Sequence, residues 1–349
     1  MAVKVRDRGI VVGTIPTGTK NCITDVDGVR VGHVTLDYTL DGDEYACTGV
    51  TAILPHEGNL FTEKVTAASY VINGFGKTTG LVQLNELGVL ESPIMLTNTF
   101  GVPAVTQGTL QYMLERNPDV GDTTGTMNVV VGECNDSYLN SIRHFPVKPE
   151  HAIEAIQNAT DQTAEEGAIG AGKGMVCFGY KGGIGSSSRV VGEYTIGCLV
   201  LSNFGKKEEF QQPRYCVSNK ERVKALSETS DGSIMIVLAT NAPLSDRQLV
   251  RVTKRCGIGL GRTGSHFGHG SGDIVIAFST AHKIAHSHNQ MLETRTQLRE
   301  GHPIMNQLFT SAAEATEEAI LNSLSQAVTT KGRNGQVVEQ YPFGEGATV

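Results

Sequence analysis

Apolar stretches with little polar alternation recur along the chain. Pro93-Ile94-Met95-Leu96-Thr97-Asn98-Thr99, Met127-Asn128-Val129-Val130-Val131-Gly132 and Tyr194-Thr195-Ile196-Gly197-Cys198-Leu199-Val200-Leu201 each read as a strand buried on both faces. Ser233-Ile234-Met235-Ile236-Val237-Leu238-Ala239-Thr240 and Asp273-Ile274-Val275-Ile276-Ala277-Phe278 read the same way. Val50-Thr51-Ala52-Ile53-Leu54 is a further strand, stopped by Pro55. The stretch Thr24 to Gly32 alternates, with a turn signal at Asp27-Gly28. Helices are predicted near 103–116 and 150–165, the second with Ala152, Ile153, Ile156 and Ala159 on one face. Ser245-Asp246-Arg247-Gln248 is a capping box that opens a helix carrying Leu249, Val252 and Cys256 on one side. A long amphipathic helix is expected near 304–328, and Asn334-Gly335 marks a hairpin. Strands and helices are interspersed without a regular βαβ beat. The expectation is therefore an α/β (α+β) fold, sheets sandwiched by helices, in one domain over 1–349.

The sharpest change of pattern lies at Asp231-Gly232-Ser233. A polar stretch from Gly205 to Gly232, with the composition of an exposed loop, runs directly onto the apolar strand that begins at Ser233. Cleavage of the Gly232–Ser233 bond would leave a serine as a new N-terminus, with its own α-amine available as general base. That amine has a pKa near ~7.7–8.0, so slight desolvation keeps it unprotonated at neutral pH. A plain turn into a strand is the other reading of the same residues. Two further stretches matter. Gly268-His269-Gly270-Ser271-Gly272-Asp273 precedes a strand and sets Ser271 and Asp273 two residues apart, so that they can share one side. Leu201-Ser202-Asn203-Phe204-Gly205 ends a strand with an asparagine whose amide can donate to an oxyanion.

Composition removes several classes. The chain has 349 residues and a net charge of -7, without Trp and without a basic stripe, which excludes nucleic-acid binding. The 41 glycines exceed the average of about 7% and suit tight turns and close backbone approach. Cys22, Cys47, Cys134, Cys177, Cys198, Cys216 and Cys256 form no CxxC pair, which suggests reduced thiols in a cytoplasm. The charged N-terminus lacks the core of a signal peptide, and no apolar run reaches the ~18 residues of a membrane helix. His266, His269, His282, His286 and His288 lack an accompanying carboxylate or cysteine cluster and any HExxH pattern, so no metal is expected. Cys256-Gly257-Ile258-Gly259-Leu260-Gly261 follows a helix instead of opening one, which argues against a phosphate or dinucleotide cofactor. The GxSxG elbow is absent, and Gly185-Ser186-Ser187-Ser188-Arg189 reads as a turn.

Taken together, these blocks resemble the DmpA-type aminopeptidases, which include L-aminopeptidase/D-amidase/esterases and β-peptidyl aminopeptidases. The resemblance runs through Thr24 to His33, Leu96-Thr97-Asn98-Thr99, Val129 to Asn140, Gly170 to Met175 and Gly179 to Gly185. It is strongest in Asp231 to Val237, with Asn241-Ala242-Pro243-Leu244 and Ser271-Gly272-Asp273-Ile274 behind it. It implies a four-layer αββα sandwich, shared with ornithine acetyltransferases and similar in layering to N-terminal-nucleophile hydrolases. It also implies autocleavage into 1–232 and 233–349, with Ser233 as the exposed nucleophile. Ser271 and Asp273 match the pair that orients the nucleophile's amine; some members have Glu where this chain has Asp273. Asn203 matches the oxyanion-hole side chain, Tyr138 a tyrosine lining the site, and Glu133 an acidic group that meets a substrate's ammonium. Members are usually oligomers of processed chains, a tetramer being favoured. A nylon-oligomer amidase in the family has Thr as nucleophile, so Ser233 points to the aminopeptidase branch. The expected substrates are small peptides, amides or esters. An ω-amidase, an acyltransferase or a processed non-catalytic binding protein are the rival readings.

Overall fold

The structure, a computed structural model, describes residues 3–215 and 232–343. Asp231, Cys216 and most of the polar stretch before Ser233 lie outside the described residues. A four-stranded sheet has the order β1 (Arg30–Thr39), β2 (Tyr45–Leu54), β5 (Ile94–Asn98), β6 (Val130–Cys134). A six-stranded sheet has the order β4 (Val89–Leu90), β3 (Glu63–Gly74), β12 (Gly272–Ala285), β11 (Ser233–Thr240), β10 (Tyr194–Asn203), β9 (Gly183–Val191). Two short hairpins pair β7 (Val176–Cys177) with β8 (Tyr180–Lys181), and β13 (Thr330–Lys331) with β14 (Val337–Val338). The helices are α1 (Leu81–Leu87), α2 (Val102–Glu115), α3 (Pro149–Gln157), α4 (Asp246–Thr253), α5 (Cys256–Thr263) and α6 (Ile304–Ser325).

Three apolar layers separate four structural ones. Val105, Met113, Ala152 and Ile156 of α2 and α3 pack on Val34, Val50, Met95 and Val131 of the smaller sheet. Val31, Ile53, Leu96 and Val130 of that sheet face Leu199, Met235, Val237 and Ile276 of the larger one. On the far side, Val200, Ile236, Leu238 and Val275 meet Leu249, Leu260, Leu308 and Ile320 of α4, α5 and α6. This is the expected αββα sandwich. Its two inner sheets are covered on both faces, which is why their strands lack polar alternation.

Several elements differ from the sequence reading, each for a tertiary reason. Residues 23–25 form a 3-10 turn, because the Asp25 carboxylate accepts from the backbone N–H groups of Lys20 and Cys22. The helix expected over 150–165 ends at Gln157, and Thr160 then bridges to Val31. Cys256 to Gly261 lies inside the helix α5, where a Cβ on Gly259 would fall 2.3 Å from the Ala313 carbonyl oxygen. Those glycines serve helix packing. Helix α6 is buried on every side from Ser311 to Ser325, so it is not amphipathic. Its acids are paired inside: Arg189 bonds Glu314 and Glu318, and Arg214 and Arg262 bond Glu317. Ser186, Ser187 and Ser188 are buried in β9 instead of turning. Their hydroxyls donate to the Cys198 carbonyl, the Ala315 carbonyl and the Asp25 carboxylate. The Ser245–Gln248 capping box and the Asn334-Gly335 hairpin form as expected, with both Asn334 and Gly335 at positive φ.

Candidate active site

Strand β11 starts at Ser233, between two neighbours. It runs antiparallel to β10, with Asn203 opposite Ser233, and parallel to β12, with Asp273 opposite Ile234. Met235, Val237 and Ala239 point between the sheets, while Ile234, Ile236 and Leu238 point to the helices. Alternation therefore sends the Ser233 side chain to the inter-sheet side. There its Oγ accepts the Gly272 N–H at 3.1 Å. A Cβ on Gly272 would come within 2.6 Å of Gly76 Cα and 3.1 Å of Ser233 Oγ, so only glycine lets the hydroxyl sit this close. Gly232 is equally constrained: a Cβ there would lie 2.1 Å from the Asn203 carbonyl oxygen and 2.4 Å from Phe204 Cα.

On the β10 side, Asn203 is held at both ends of its carboxamide. Its Oδ1 accepts the Val176 N–H at 2.9 Å, and its Nδ2 donates to the Asn135 carbonyl at 2.9 Å. The Val176 bond settles which end is oxygen and leaves a second Nδ2 proton to donate elsewhere.

On the β12 side, Ser271 Oγ donates to Asp273 Oδ1 at 2.7 Å, and Asp273 Oδ2 is buried without a partner among the described residues. Burial pushes the Asp273 carboxyl up to about 6, against the lowering effect of the Ser271 bond. The turn before β12 is clamped from β3. Asn73 Nδ2 donates to the carbonyls of Ser271 at 2.5 Å and Gly268 at 2.9 Å. A register shift in the β3–β12 pairing lies at Asp273/Ile274, a bulge beside the site. A cavity of about 70 Å³ opens here, lined by Gly232, Ser271, Phe204, Lys206, His266 and Phe267.

Glu133, next to last in β6, is buried, 2% exposed. Its Oε1 accepts the Lys77 N–H at 2.9 Å, and its Oε2 accepts from the Thr99 hydroxyl. Oε1 also faces Gly76, whose backbone abuts Gly272. The carboxylate thus approaches Ser233 through two glycines. Tyr138 packs on the small cluster of Cys47, Leu139 and Val338, as does Val176, whose N–H donates to Asn203. The sequence reading assigned no role to Gly76, Asn73, Asn135 or Val176. All four act through backbone or carboxamide contacts from distant segments, which leave no local pattern. Only Gly272, inside the glycine-rich run before β12, carried a signal of close approach.

The arrangement places a hydroxyl, an amide donor, a serine–carboxylate pair and a buried acid around one strand end. Those are the parts of acyl transfer with a nucleophilic hydroxyl. Comparison with known proteins agrees. A model of peptidase family S58 matches residues 21–338. A β-peptidyl aminopeptidase of Sphingosinicella microcystinivorans is 38% identical over 98% of this chain and 90% of its own. One from Sphingosinicella xenopeptidilytica is 34% identical over 99% of this chain and 90% of its own. Among solved structures, a Pyrococcus horikoshii OT3 protein superposes with a TM-score of 0.90 at 48% identity, covering 97% and 96% of the two chains. The L-aminopeptidase D-Ala-esterase/amidase of Ochrobactrum anthropi, a variant of the N-terminal-nucleophile hydrolase fold, superposes with a TM-score of 0.86 at 33% identity, covering 97% and 95%. With the family model and these relatives spanning nearly its whole length, the chain belongs to peptidase family S58, as a serine-type N-terminal-nucleophile aminopeptidase.

Proposed function

We propose that the chain cuts its own Gly232–Ser233 bond, giving residues 1–232 and 233–349, and that Ser233 then serves as the nucleophile. In maturation Ser233 Oγ attacks the Gly232 carbonyl carbon. The C–N bond breaks, an ester forms, the α-amine is freed, and water opens the ester. In turnover Ser233 Oγ attacks the substrate's carbonyl while its own α-amine takes the hydroxyl proton and passes it to the leaving amine. Asn203 donates to the oxyanion. Ser271 and Asp273 orient the amine. Water then releases the acyl group.

The observation that carries this reading is the seating of Ser233. It is the first residue of a buried strand, its hydroxyl held by Gly272 N–H, preceded by a glycine that no other residue replaces without a clash. The substrates proposed are small peptides, amides or esters with a free N-terminal amine, which Glu133 receives. The names of the two Sphingosinicella relatives point to β-aminoacyl groups among them. Tyr138 is proposed to line the outer part of the site. The processed αβ units are proposed to form a homo-oligomer, on the strength of the resemblance. The test is the intact mass of wild type and Ser233→Ala. Two fragments from wild type and one full-length chain from the variant are expected; full-length chains from both would refute the proposal.

A further inference from the structure

Lys181 is a fully buried lysine. It commits its ammonium protons to three backbone carbonyls: Gly182 at 2.7 Å, Met175 at 2.8 Å and Gly172 at 2.9 Å. An ammonium has three protons for three acceptors, whereas a neutral amine would leave one carbonyl facing a lone pair. Burial lowers the Lys181 pKa to about 7, and the three carbonyls work in the other direction by favouring the charged form. Its electrostatic neighbours are Cys47, Lys173, Cys177 and Asp136. The two thiols are pushed up to about 12 by burial and stay neutral, and the Asp136 carboxyl is raised to about 7.

The peptide unit that Lys181 holds is the one that holds Asn203. The Met175 carbonyl accepts from Lys181 Nζ and from Gly182 N–H, at 2.8 and 3.0 Å. The N–H of that same amide, on Val176, donates to Asn203 Oδ1 at 2.9 Å. A charge at one end of a resonant amide makes its N–H a better donor. A better donor to Oδ1 in turn makes the Asn203 Nδ2 protons more acidic.

We propose that Lys181 is a positioning residue for catalysis, acting through the Met175–Val176 peptide to orient and polarise the Asn203 carboxamide. The assignment rests on the function proposed above. Lys181 touches no substrate. It strengthens the bond that Asn203 gives to the oxyanion, and it fixes the loop from Gly172 to Gly182 on which that bond depends.

The test is a double-mutant cycle of Lys181→Met and Asn203→Ala, read as kcat of the processed fraction. Losing one oxyanion donor costs about 10²–10³ in rate, and cooperative strengthening of about 10–30% on that bond corresponds to about 2- to 8-fold in kcat. Lys181→Met is expected to lower kcat by at least that factor with KM little changed. In the Asn203→Ala background it should lower kcat no further, because the path runs through Asn203. Equal losses in both backgrounds, or unchanged kcat in Lys181→Met, would overturn the proposal. If Lys181→Met does not fold, Lys181→Gln, which keeps donors without the charge, enters the same cycle; full wild-type kcat there would also overturn it. Wild-type protein that remains a single full-length chain would overturn the underlying reading, and this proposal with it.

Discussion

Ser233 stands between two neighbouring strands that treat polar groups in opposite ways. On the β10 side everything is settled: Asn203 has both ends of its carboxamide bonded, to Val176 N–H and to the Asn135 carbonyl. On the β12 side something is left open: Asp273 keeps one oxygen buried and, among the described residues, unpartnered, and its carboxyl is raised to about 6. A carboxamide held at both ends keeps its remaining Nδ2 proton aimed without reorganising when charge develops, which is what an oxyanion site needs. A carboxylate buried on one hydrogen bond is unstable in isolation and gains from a cation placed beside it. Under the proposed self-cleavage, the freed α-amine of Ser233, once protonated, would be such a cation. On that proposal the difference teaches that the oxyanion side is prepared before maturation, while the amine side is completed by it.

That contrast can be broken by substitution. Asn203→Ala should lower kcat by about 10²–10³. It should also destabilise the fold, since Val176 N–H and the Asn135 carbonyl both lose their partner; thermal melting alongside steady-state kinetics checks the pair of effects. Glu133→Gln sharpens the picture from outside both strands. A charge-assisted bond to a substrate ammonium is worth about 1.5–3 kcal/mol, so wild type should favour free over N-acetylated substrates by about tenfold or more, and the variant should lose that preference. Equal rates in wild type would remove Glu133 from the role. Gly232→Ala tests the junction itself. The added methyl meets backbone on the β10 side, at Asn203 and Phe204, and overpacking of about 1–3 kcal/mol should slow self-cleavage by about 5- to 150-fold, followed on gels.

Asp273→Asn is expected to change stability with the opposite sign. The folded-state pKa of about 6 lies above the ordinary 3.8, so the native state binds that proton more tightly than the unfolded chain. Stability from this group is full below the unfolded value and is lost as pH rises through about 6. Asparagine escapes that loss. The processed variant should turn over more slowly. In the unprocessed Ser233→Ala background, where no freed amine faces residue 273, Asp273→Asn should melt higher than its parent at pH 8, by on the order of 1–3 kcal/mol, with the advantage gone near pH 4. A variant less stable than that parent at pH 8 would show that the open oxygen is not a strained group, and the contrast between the two sides would fail.

Much of this was legible in the sequence wherever burial follows local pattern. The polar-to-apolar change at Ser233, the unbroken apolar strands and the Ser245–Gln248 box each leave a signal within a few residues. Legibility fails where polar side chains are buried against distant partners. Ser186 to Arg189 looks like a turn because nothing nearby announces that Ala315, Glu314 and Glu318 of α6 satisfy it. The same holds for Asn73 over Ser271 and for Lys181 behind Met175. The site's principal side chains come from strand ends with readable motifs, but its supports come from loops with none.

The claim that joins both strands is that the α-amine of Ser233 is the base. Processed enzyme should be acylated at that amine with an N-terminus-selective reagent, the extent read by intact mass of the smaller chain, and the activity on an aminoacyl p-nitroanilide compared with a mock-treated sample. Activity is expected to fall in proportion to the blocked fraction. Full activity on a fully acylated Ser233 would contradict the mechanism and transfer the base to another group, with His266, in the cavity it shares with Ser271 and Gly232, the first to examine.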